Sequence, residues 1–554
     1  MIERVEGMRG GGSALFGSSA IAGTINIITK EPLRNSGQLA HTIPSIGGSS
    51  SFDNNTSLNA SLVTDDHRAG LYVFGQNRHR DAYDHDGDGY SEMPKLKNQT
   101  VGFRSFLKTS TYSKLTFEYH HLQEFRRGGN MLNRPPHEAD IAEQIQHSIN
   151  GGGLKFDYFA PNEKHRLTLY TSAQHTDRDS YYGSKKDLNA YGKTTDLTFI
   201  GGSQYVYSFD KCLFMPADLT AGLEYNRDNL KDDMWGYNRY TRQTVNIGSA
   251  FFQNEWKNEK WSILLGGRLD KHNLINHVIF SPRANLRFNP TQDVNLRLSY
   301  SSGFRAPQAF DEDLHIENVG GTVSMIERAK NLKEEKSQSF SASADMYHRF
   351  GAFQVNFLVE GFYTKLSDVF VLENIGVRDG ILIKERRNGS GAKVLGLSME
   401  GKMAYLSLFQ LQAGVTLQQS RYDEPEKWSE TAPAQKKIFR TPNTYGYFTA
   451  TYTPVKPLSV SLSGTYTGSM LVQHMAGYID KDVAVNTRDF FDMGVKLAYD
   501  FKLYKTIDLQ LSAGVQNVFN AYQNDFDQGV ERDSGYIYGP AAPRSYFAGV
   551  KISY

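Results

Sequence analysis

Hydrophobic and polar positions alternate along most of the chain in short runs. In one run Leu458, Val460 and Leu462 alternate with serines, and the same pattern recurs at 507–516 and at 546–554. Successive side chains of a β-strand point to opposite faces, so each run predicts a strand with one apolar and one polar face. Aromatic residues at the tips of the apolar faces are expected where lipid lies outside and water inside.

Strands of this kind can be placed along the whole chain after residue 32. They number twenty-two, at 37–47, 52–62, 67–79, 98–109, 112–125, 144–157, 164–176, 192–208, 217–228, 242–257, 260–271, 280–289, 292–301, 336–349, 352–373, 381–404, 408–421, 443–453, 457–468, 488–501, 506–518 and 543–554. Short connections such as 64–66 and 289–291 alternate with long ones, as in outer-membrane barrels. The pattern therefore predicts an all-β fold, a 22-stranded antiparallel transmembrane β-barrel.

Composition narrows the class of protein further. Hydrophobic residues make up 39% of the 554 residues, but no run approaches the roughly eighteen apolar residues that a membrane helix needs. Lys+Arg 61 against Asp+Glu 60 leaves a charge of +1, so no global field attracts nucleic acid. The single cysteine, Cys212, excludes an internal disulfide. No spacing typical of a catalytic triad, a zinc site or a phosphate loop is present, so we do not expect an enzyme.

A glycine-rich piece at 2–32 precedes the strand runs and ends in a short β-branched strand at 24–29. It resembles the closing segment of the plug domain of TonB-dependent outer-membrane receptors. The positions in register with that pattern are Glu6, Arg9, Gly10, Ser13, Leu15, Phe16, Gly17, Ala20, Gly23, Ile25, Asn26, Ile27, Ile28, Thr29 and Lys30. Gly11 stands for the usual proline, Phe16 for a tyrosine and Ala22 for a glycine. So many fixed offsets in a short window make the match specific.

The resemblance implies a domain organisation and a function. Residues 1–32 would be the C-terminal part of the plug, and 33–554 the transmembrane barrel with long extracellular loops. The implied function is TonB-dependent active transport, at the outer membrane of a Gram-negative bacterium, of an iron chelate (ferric siderophore or haem) or of cobalamin. The implied partners are the TonB–ExbB–ExbD complex, the ligand, outer-membrane lipid and a surface lipoprotein. The alternative is a passive porin or adhesin barrel.

We expect the chain to be a fragment that lacks a signal peptide, the TonB box and most of the plug. The barrel would then form, but it would not be gated normally. The terminal Tyr554 resembles the C-terminal assembly signal of outer-membrane barrels.

The first candidate site is an acidic loop after the third predicted strand. Asp84, Asp86 and Asp88 occupy alternate positions and are followed by a glycine, as at the start of a calcium-binding loop, and Glu92 is placed to complete the ligand set. Position twelve is Lys95 rather than the glutamate of an EF-hand, so affinity for Ca²⁺ should be modest. The alternative is a solvated acidic turn held by Asx hydrogen bonds. Some cobalamin receptors of the resembled family carry calcium in this region.

The second candidate site is the long loop 302–335. It opens with the sequence FRAP at 304–307 and closes with NLK at 331–333, resembling the F-R-A-P and N-P-N-L boxes that bracket a loop in haem receptors of the family. Lys330 stands where the second box has proline. His315 lies between the boxes, and an imidazole can ligate haem iron, with Arg305 contacting the chelate by charge. The alternative is that His315 is a polar surface residue.

Other long loops are rich in aromatic and basic residues. Trp235 and Tyr237 are predicted to bind the ligand with Arg305 and His315, because aromatic faces and guanidinium groups suit a planar or anionic chelate. Further candidates of the same kind are Tyr240, Arg126, Arg127, Arg134, His474 and Met475. For most of these residues individually, the alternative is an interfacial girdle or a solvated loop charge.

Overall fold

The computed structural model describes residues 2–9, 12–21, 23–315, 317–319 and 322–554. Its strands are β1 (Ile2–Arg9), β2 (Gly23–Thr29), β3 (Ser36–Ser45), β4 (Asp53–Val63), β5 (Ala69–Arg80), β6 (Ser91–Ser110), β7 (Ser113–Gly129), β8 (Ile141–Phe159), β9 (His165–Ser184), β10 (Tyr191–Cys212), β11 (Met215–Met234), β12 (Arg239–Lys257), β13 (Trp261–His272), β14 (Ile279–Thr291), β15 (Val294–Arg305), β16 (Glu317–Val319), β17 (Thr322–Arg328), β18 (Glu335–Phe350), β19 (Phe353–Ser367), β20 (Phe370–Arg378), β21 (Ile381–Asn388), β22 (Ala392–Tyr405), β23 (Phe409–Glu426), β24 (Gln435–Lys437), β25 (Thr444–Val455), β26 (Leu458–Thr467), β27 (Leu471–His474), β28 (Val483–Asn486), β29 (Phe490–Tyr504), β30 (Ile507–Gln516) and β31 (Ser545–Ser553).

The helices are short. They are α1 (Ser13–Phe16), α2 (Asp311–Leu314) and three 3₁₀ helices, Ile46–Gly48, Pro136–Glu138 and Trp235–Tyr237. None of the helices in the described ranges is long and apolar enough to cross a membrane.

The predicted barrel is confirmed. Twenty-two of the described strands form one closed antiparallel sheet, in which β31 pairs with β3 to close the ring. These strands are β3 to β15, β18, β19, β22, β23, β25, β26 and β29 to β31, and the short β24 adds to β23. Closure leaves no unpaired edge, so the backbone groups of the wall are satisfied without water.

Two predicted strands, 352–373 and 381–404, are each divided in the structure. β19 ends before Asp368, whose φ of 55° lies in the left-handed region and turns the chain out of the wall. The second run is interrupted by the sequence GSG at 389–391, between β21 and β22. β20 and β21 instead join β16 and β17 in a separate four-stranded sheet, where β17 and β21 run parallel.

Apolar side chains cover the outer face of the wall. In β31, Tyr546, Val550 and Ile552 are exposed, whereas the intervening Phe547, Gly549 and Lys551 are half-buried. Ile552 pairs with the exposed Leu39 of β3 and with Leu509 of β30, so neighbouring strands place apolar side chains in one row. This exposed apolar belt is the surface expected of strands that face lipid.

The long connections all lie at one end of the barrel, because the strands alternate in direction. We number the connections at this long-loop end in chain order. Those used below are loop 2 (81–90), loop 3 (130–140), loop 4 (185–190), loop 5 (235–238), loop 7 (306–334), loop 8 (368–391), loop 9 (427–443), loop 10 (468–489) and loop 11 (517–544). The opposite end carries short turns such as 64–68 and 111–112.

Residues 12–21 and 23–32 lie across the interior of the ring. At one end of the segment, the Ser19 N–H donates to the Phe304 carbonyl at 2.8 Å, and the Phe304 N–H donates to Ser13 Oγ at 3.1 Å. At the other end, Lys114 Nζ lies 3.1 Å from Glu31. Phe304 belongs to β15 and Lys114 to β7, which are far apart around the ring, so the path between them runs through the lumen. Gly303 permits the approach, since a Cβ there would lie 2.6 Å from the Ala20 carbonyl oxygen.

β1 and β2 pair with each other antiparallel and form their own two-stranded sheet. Gly10, Gly11 and Ala22, which contribute to the glycine-rich pattern, lie outside the described residues. The division into a plug segment 1–32 and a barrel 33–554 stays a prediction.

Candidate ligand-binding site

Two adjoining cavities lie among the loops at the long-loop end. The smaller cavity has a volume of about 280 Å³ and the larger one about 570 Å³. Four residues line both of them and form what we call the neck: Glu143, His315, Asp533 and Ser534. Glu143 comes from the start of β8, His315 from loop 7 and the other two from loop 11. The site is therefore assembled from segments almost 400 residues apart in sequence.

The smaller cavity combines aromatic rings with carboxylates. Its aromatic lining consists of Tyr90, Tyr182, Phe526 and Tyr536. Its charged lining consists of Glu92, Glu143, Asp527 and Asp533 against Arg126 and Arg532. The arrangement presents negative charge beside ring faces.

The larger cavity has a different balance of charged side chains in its lining. Its aromatic lining consists of Phe370, Tyr422, Trp428 and Phe439, from loops 8 and 9 and the end of β23. Three cations, Lys384, Lys427 and Arg440, also line it, and outside the neck the carboxylate in its lining is Glu426. Arg440 donates through Nη1 to the Ile537 carbonyl at 2.9 Å, so this contact holds the side chain without neutralising its charge. Aromatic faces and cations together suit an anionic or planar ligand.

Loop 11 is held in place by a buried arginine. The Arg532 guanidinium is 8% exposed, donates to Asp88 and lies 3.2 Å from Glu92 Oε1. It also donates to the Asp527 carbonyl at 2.7 Å and lies 4.6 Å from the centre of the Tyr90 ring. We call these contacts between loops 2 and 11 the Arg532 clasp. Because Glu92 and Arg532 both line the smaller cavity, the clasp also shapes that cavity.

Loop 10 adds a second attachment for loop 11. His474 Nε2 lies 2.9 Å from Asp527 Oδ1, and its ring stacks on Tyr536 at 3.7 Å. Asp533 accepts hydrogen bonds from the N–H groups of Met475 at 2.9 Å and Gly535 at 2.8 Å. Burial nevertheless raises the pKa of the Asp533 carboxyl, because the charged form loses solvation there.

The structure brings three of the four predicted calcium ligands together. Carboxylate oxygens of Asp84, Asp86 and Asp88 lie within 4.8 Å of one another. Glu92 is directed elsewhere, since it accepts a hydrogen bond from the His85 N–H at 2.7 Å and pairs with Arg532.

The loop also shows the hydrogen bonds of an acidic turn. Asp84 accepts from the N–H groups of Gly87 and Gly89, at 2.7 and 2.8 Å. Asp88 accepts from the Tyr90 N–H at 2.9 Å. The oxygens thus have backbone partners of their own, and calcium binding stays a prediction.

Of the two candidates from the sequence segment 302–335, His315 reaches the cavities. It follows α2, and its ring lies 4.3 Å from that of Tyr182. Arg305 does not line either cavity. Its guanidinium lies 3.6 Å from the Phe310 ring and 3.1 Å from Glu312, so its charge is already paired. Arg305 acts here as a support for loop 7, next to the Phe370 that lines the larger cavity.

Trp235 and Tyr237 lie in loop 5 and line neither of the two cavities. Trp235 is 53% exposed. The Tyr237 hydroxyl donates to Asp187 Oδ2 at 2.6 Å and so joins loop 5 to loop 4. The role of Trp235 and Tyr237 in ligand binding stays a prediction, which the positions of the two cavities do not support.

Among the other basic and aromatic candidates, Arg126 lines the smaller cavity and Met475 the larger one. Arg127 is buried and donates to the carbonyl of Asn130 at 3.1 Å, and the exposed Arg134 lies 3.9 Å from Glu138. The lining residues that the sequence did not single out include Glu143, Tyr182, Phe370, Tyr422, Trp428, Phe439, Arg440 and Asp533. No regular spacing along the chain relates them, because they come from several strand ends and loops.

The family model described as TonB dependent receptor-like, beta-barrel matches residues 30–518. The siderophore receptor PirA from Acinetobacter baumannii is similar in structure at 17% identity and a TM-score of 0.79, covering 100% of this chain and 85% of that chain. A mutant of the ferric enterobactin receptor PfeA from Pseudomonas aeruginosa has 16% identity and a TM-score of 0.78, with coverage of 100% and 85%. At these identities the likeness shows the fold.

Proposed function

Since the chain belongs to the TonB-dependent receptor-like β-barrel family, we propose that it binds a ferric chelate in its two adjoining cavities and imports it with energy supplied through TonB. Family membership implies the outer membrane of a Gram-negative bacterium. The observation that supports the ligand class is the pair of cavities at the long-loop end, with aromatic rings and cations in the larger one. Ferric chelates are bulky and often anionic, so ring faces and cations hold them without stripping the metal of its ligands.

A ferric siderophore is the first choice of ligand. The structures similar to this one include receptors named for siderophores and for ferric enterobactin. The observation that points to cobalamin is the acidic loop, whose oxygens already accept backbone hydrogen bonds. Haem is the second candidate because His315, the residue able to ligate iron, lines both cavities.

A passive porin is disfavoured by residues 12–21 and 23–32, which contact two widely separated parts of the wall from inside the ring. An adhesin would not need cavities lined by cations and rings. The proposed role is binding and transport rather than catalysis.

Uptake of radioactive iron tests the function directly. Cells that carry this receptor should accumulate a ferric chelate against its gradient, and deletion of TonB should abolish the accumulation. A porin would instead give uptake that is insensitive to TonB, and an adhesin would give none. Either result would contradict the proposal.

Trp428 provides a binding assay within the same site, because it lines the larger cavity. The bound chelate should quench its fluorescence, and Trp428→Phe should remove most of the quenching. The matched control is Trp235→Phe, since Trp235 lies outside both cavities. Equal loss of quenching in the two variants would place the ligand elsewhere.

A further inference from the structure

The charge of the lining differs between the larger cavity, the neck and the smaller cavity. Outside the neck, the larger cavity is lined by three cations, of which Lys427 pairs with Glu430 at 2.6 Å, and by one carboxylate, Glu426, whose Oε1 accepts from the Ser390 hydroxyl at 2.8 Å. The neck adds two carboxylates, Glu143 and Asp533, whereas in the rest of the smaller cavity two carboxylates face two guanidinium groups. A ligand that occupies both cavities therefore meets a gradient of potential along its own length.

Much of the charge in the smaller cavity is already paired. Arg532 lies against Glu92, and Asp527 against His474. Arg126 pairs at 3.0 Å with Glu124, a carboxylate outside the cavity lining. The two neck carboxylates, Glu143 and Asp533, remain. Glu143 is exposed and has no ion pair among the residues that the structure describes. The Asp533 carboxylate accepts hydrogen bonds from two backbone N–H groups, those of Met475 and Gly535.

Ring faces stand beside these carboxylates. Tyr182 of β9 and Tyr536 of loop 11 line the smaller cavity and are 5% and 2% exposed, so both rings are packed against their neighbours. Glu143 is the direct cross-strand partner of Tyr182, and Tyr90 and Phe526 complete the aromatic lining. A carboxylate next to aromatic faces recognises an organic cation, through charge and through the ring quadrupole together. A cation there would also favour the charged form of Asp533, whose burial opposes it.

We infer that the neck is a subsite for a protonated nitrogen group, so that the preferred ligand is a dipolar chelate with its metal centre in the larger cavity and an ammonium or guanidinium group in the smaller one. The inference rests on the proposed function and names the class of chelate within it. A uniformly anionic chelate fills only the larger cavity on this account.

A matched pair of chelates tests the inference. Ferrioxamine B is a linear ferric trihydroxamate that ends in a primary amine, and its N-acetyl derivative keeps the same iron coordination but loses the positive charge. Both absorb light alike, so quenching of Trp428 reports their affinities on one scale. The amine form should bind about tenfold more tightly, as a charge-assisted contact at a partly desolvated site would give.

The charge of the neck is then removed by Glu143→Gln, which keeps the size of the side chain. This variant should bring the ratio of the two affinities to within about twofold of unity by weakening the amine form alone. The control is Glu138→Gln, which removes a carboxylate from loop 3 outside both cavities and should keep the full ratio. Asp533 is not the first choice for substitution, because its contacts with Met475 and Gly535 hold loops 10 and 11.

Equal affinity for the two chelates overturns the inference, as does a ratio that survives Glu143→Gln. Failure of both chelates to bind overturns it too, because the neck would then not accept a chelate of this class. TonB-dependent uptake of some other ferric chelate would in each case leave the proposed function standing. Loss of TonB-dependent uptake for all ferric chelates would overturn the proposed function itself.

Discussion

The barrel wall and the long-loop end are held together in different ways. Each wall strand is bonded to two neighbours by a continuous ladder of backbone hydrogen bonds. Apolar side chains cover its outer face. Loop 11 has almost no regular structure, yet Asn517, Gln523 and Asp533 are nearly fully buried and bond to backbone groups. The wall thus depends on many equivalent contacts, whereas the loop depends on a few individual side chains.

This difference decides what a substitution does. In the wall the outcome depends on which face a residue occupies, because the ladder does not use side chains. In the loops the outcome depends on whether a buried polar group keeps its partner, since an unpaired buried group costs the full desolvation penalty.

Charge on the lipid-facing wall should have the largest effect. Leu298 is 56% exposed within the outward apolar belt of β15, and Leu188 in loop 4 is 70% exposed. Leu298→Arg should lower the free energy of unfolding by about 2–4 kcal/mol if the residue lies near the bilayer midplane, and less if it lies nearer an interface. Leu188→Arg should have no measurable effect, because the loop is in water. Denaturant titration of the barrel in lipid measures both, and equal losses would contradict the lipid-facing assignment.

Removal of the Arg532 clasp should affect ligand binding more than barrel stability. Arg532→Ala leaves Asp88 and Glu92 without their cation and frees loop 11, which lines both cavities. We expect affinity for the ferric chelate to fall by about tenfold or more, roughly 1.4 kcal/mol, while the melting temperature of the barrel is unchanged. Arg134→Ala is the control, since Arg134 makes one long, exposed ion pair. A lower melting temperature with normal binding would assign the clasp to the wall instead.

The fold of the wall could be predicted from sequence because its pattern is local. Alternation along a strand, as at 458–466, is set by the two faces of that strand alone, and turn residues separate one run from the next. The prediction failed at Asp368 and at 389–391, where a left-handed residue and the GSG sequence end strands inside β-rich runs. The extra sheet of β16, β17, β20 and β21 could not be predicted, because its parallel pairing joins two different loops.

The candidate site could be predicted only in small part. His315 was found from its place between two sequence boxes, and it does line the cavities. Arg305 came from the same boxes, but loop 7 folds it onto Glu312 and Phe310. Glu143 and Asp533 carry no local signal, since a single carboxylate near a strand end is ordinary. They become a pair only when the ring closes and brings loop 11 over β8.

Substitution of His315 distinguishes haem from the other candidate ligands. If its imidazole ligates haem iron, His315→Ala should weaken haem binding by more than about tenfold, roughly 1.4 kcal/mol, and leave a ferric siderophore or cobalamin nearly unaffected. Titration of the purified receptor with the three ligands measures the changes. The control is His277→Ala, because His277 lies on a neighbouring loop and lines neither cavity. Small and equal losses for all three ligands would remove haem from consideration and leave the receptor class unchanged.

The acidic turn of loop 2 should give the smallest effect. We propose that Ca²⁺ binds weakly to Asp84, Asp86 and Asp88, because three carboxylates within five residues repel one another unless a cation screens them. Asp86 is the best residue to change because it is exposed, whereas Asp88 forms an ion pair with Arg532. Asp86→Asn should abolish any calcium heat in calorimetry and any calcium dependence of chelate binding, with barrel stability unchanged. Asp66→Asn, in a turn at the opposite end of the barrel, is the control. If the unmodified protein shows no heat at calcium concentrations on the order of millimolar, the range of weak extracellular sites, the loop is an acidic turn held by its own backbone hydrogen bonds.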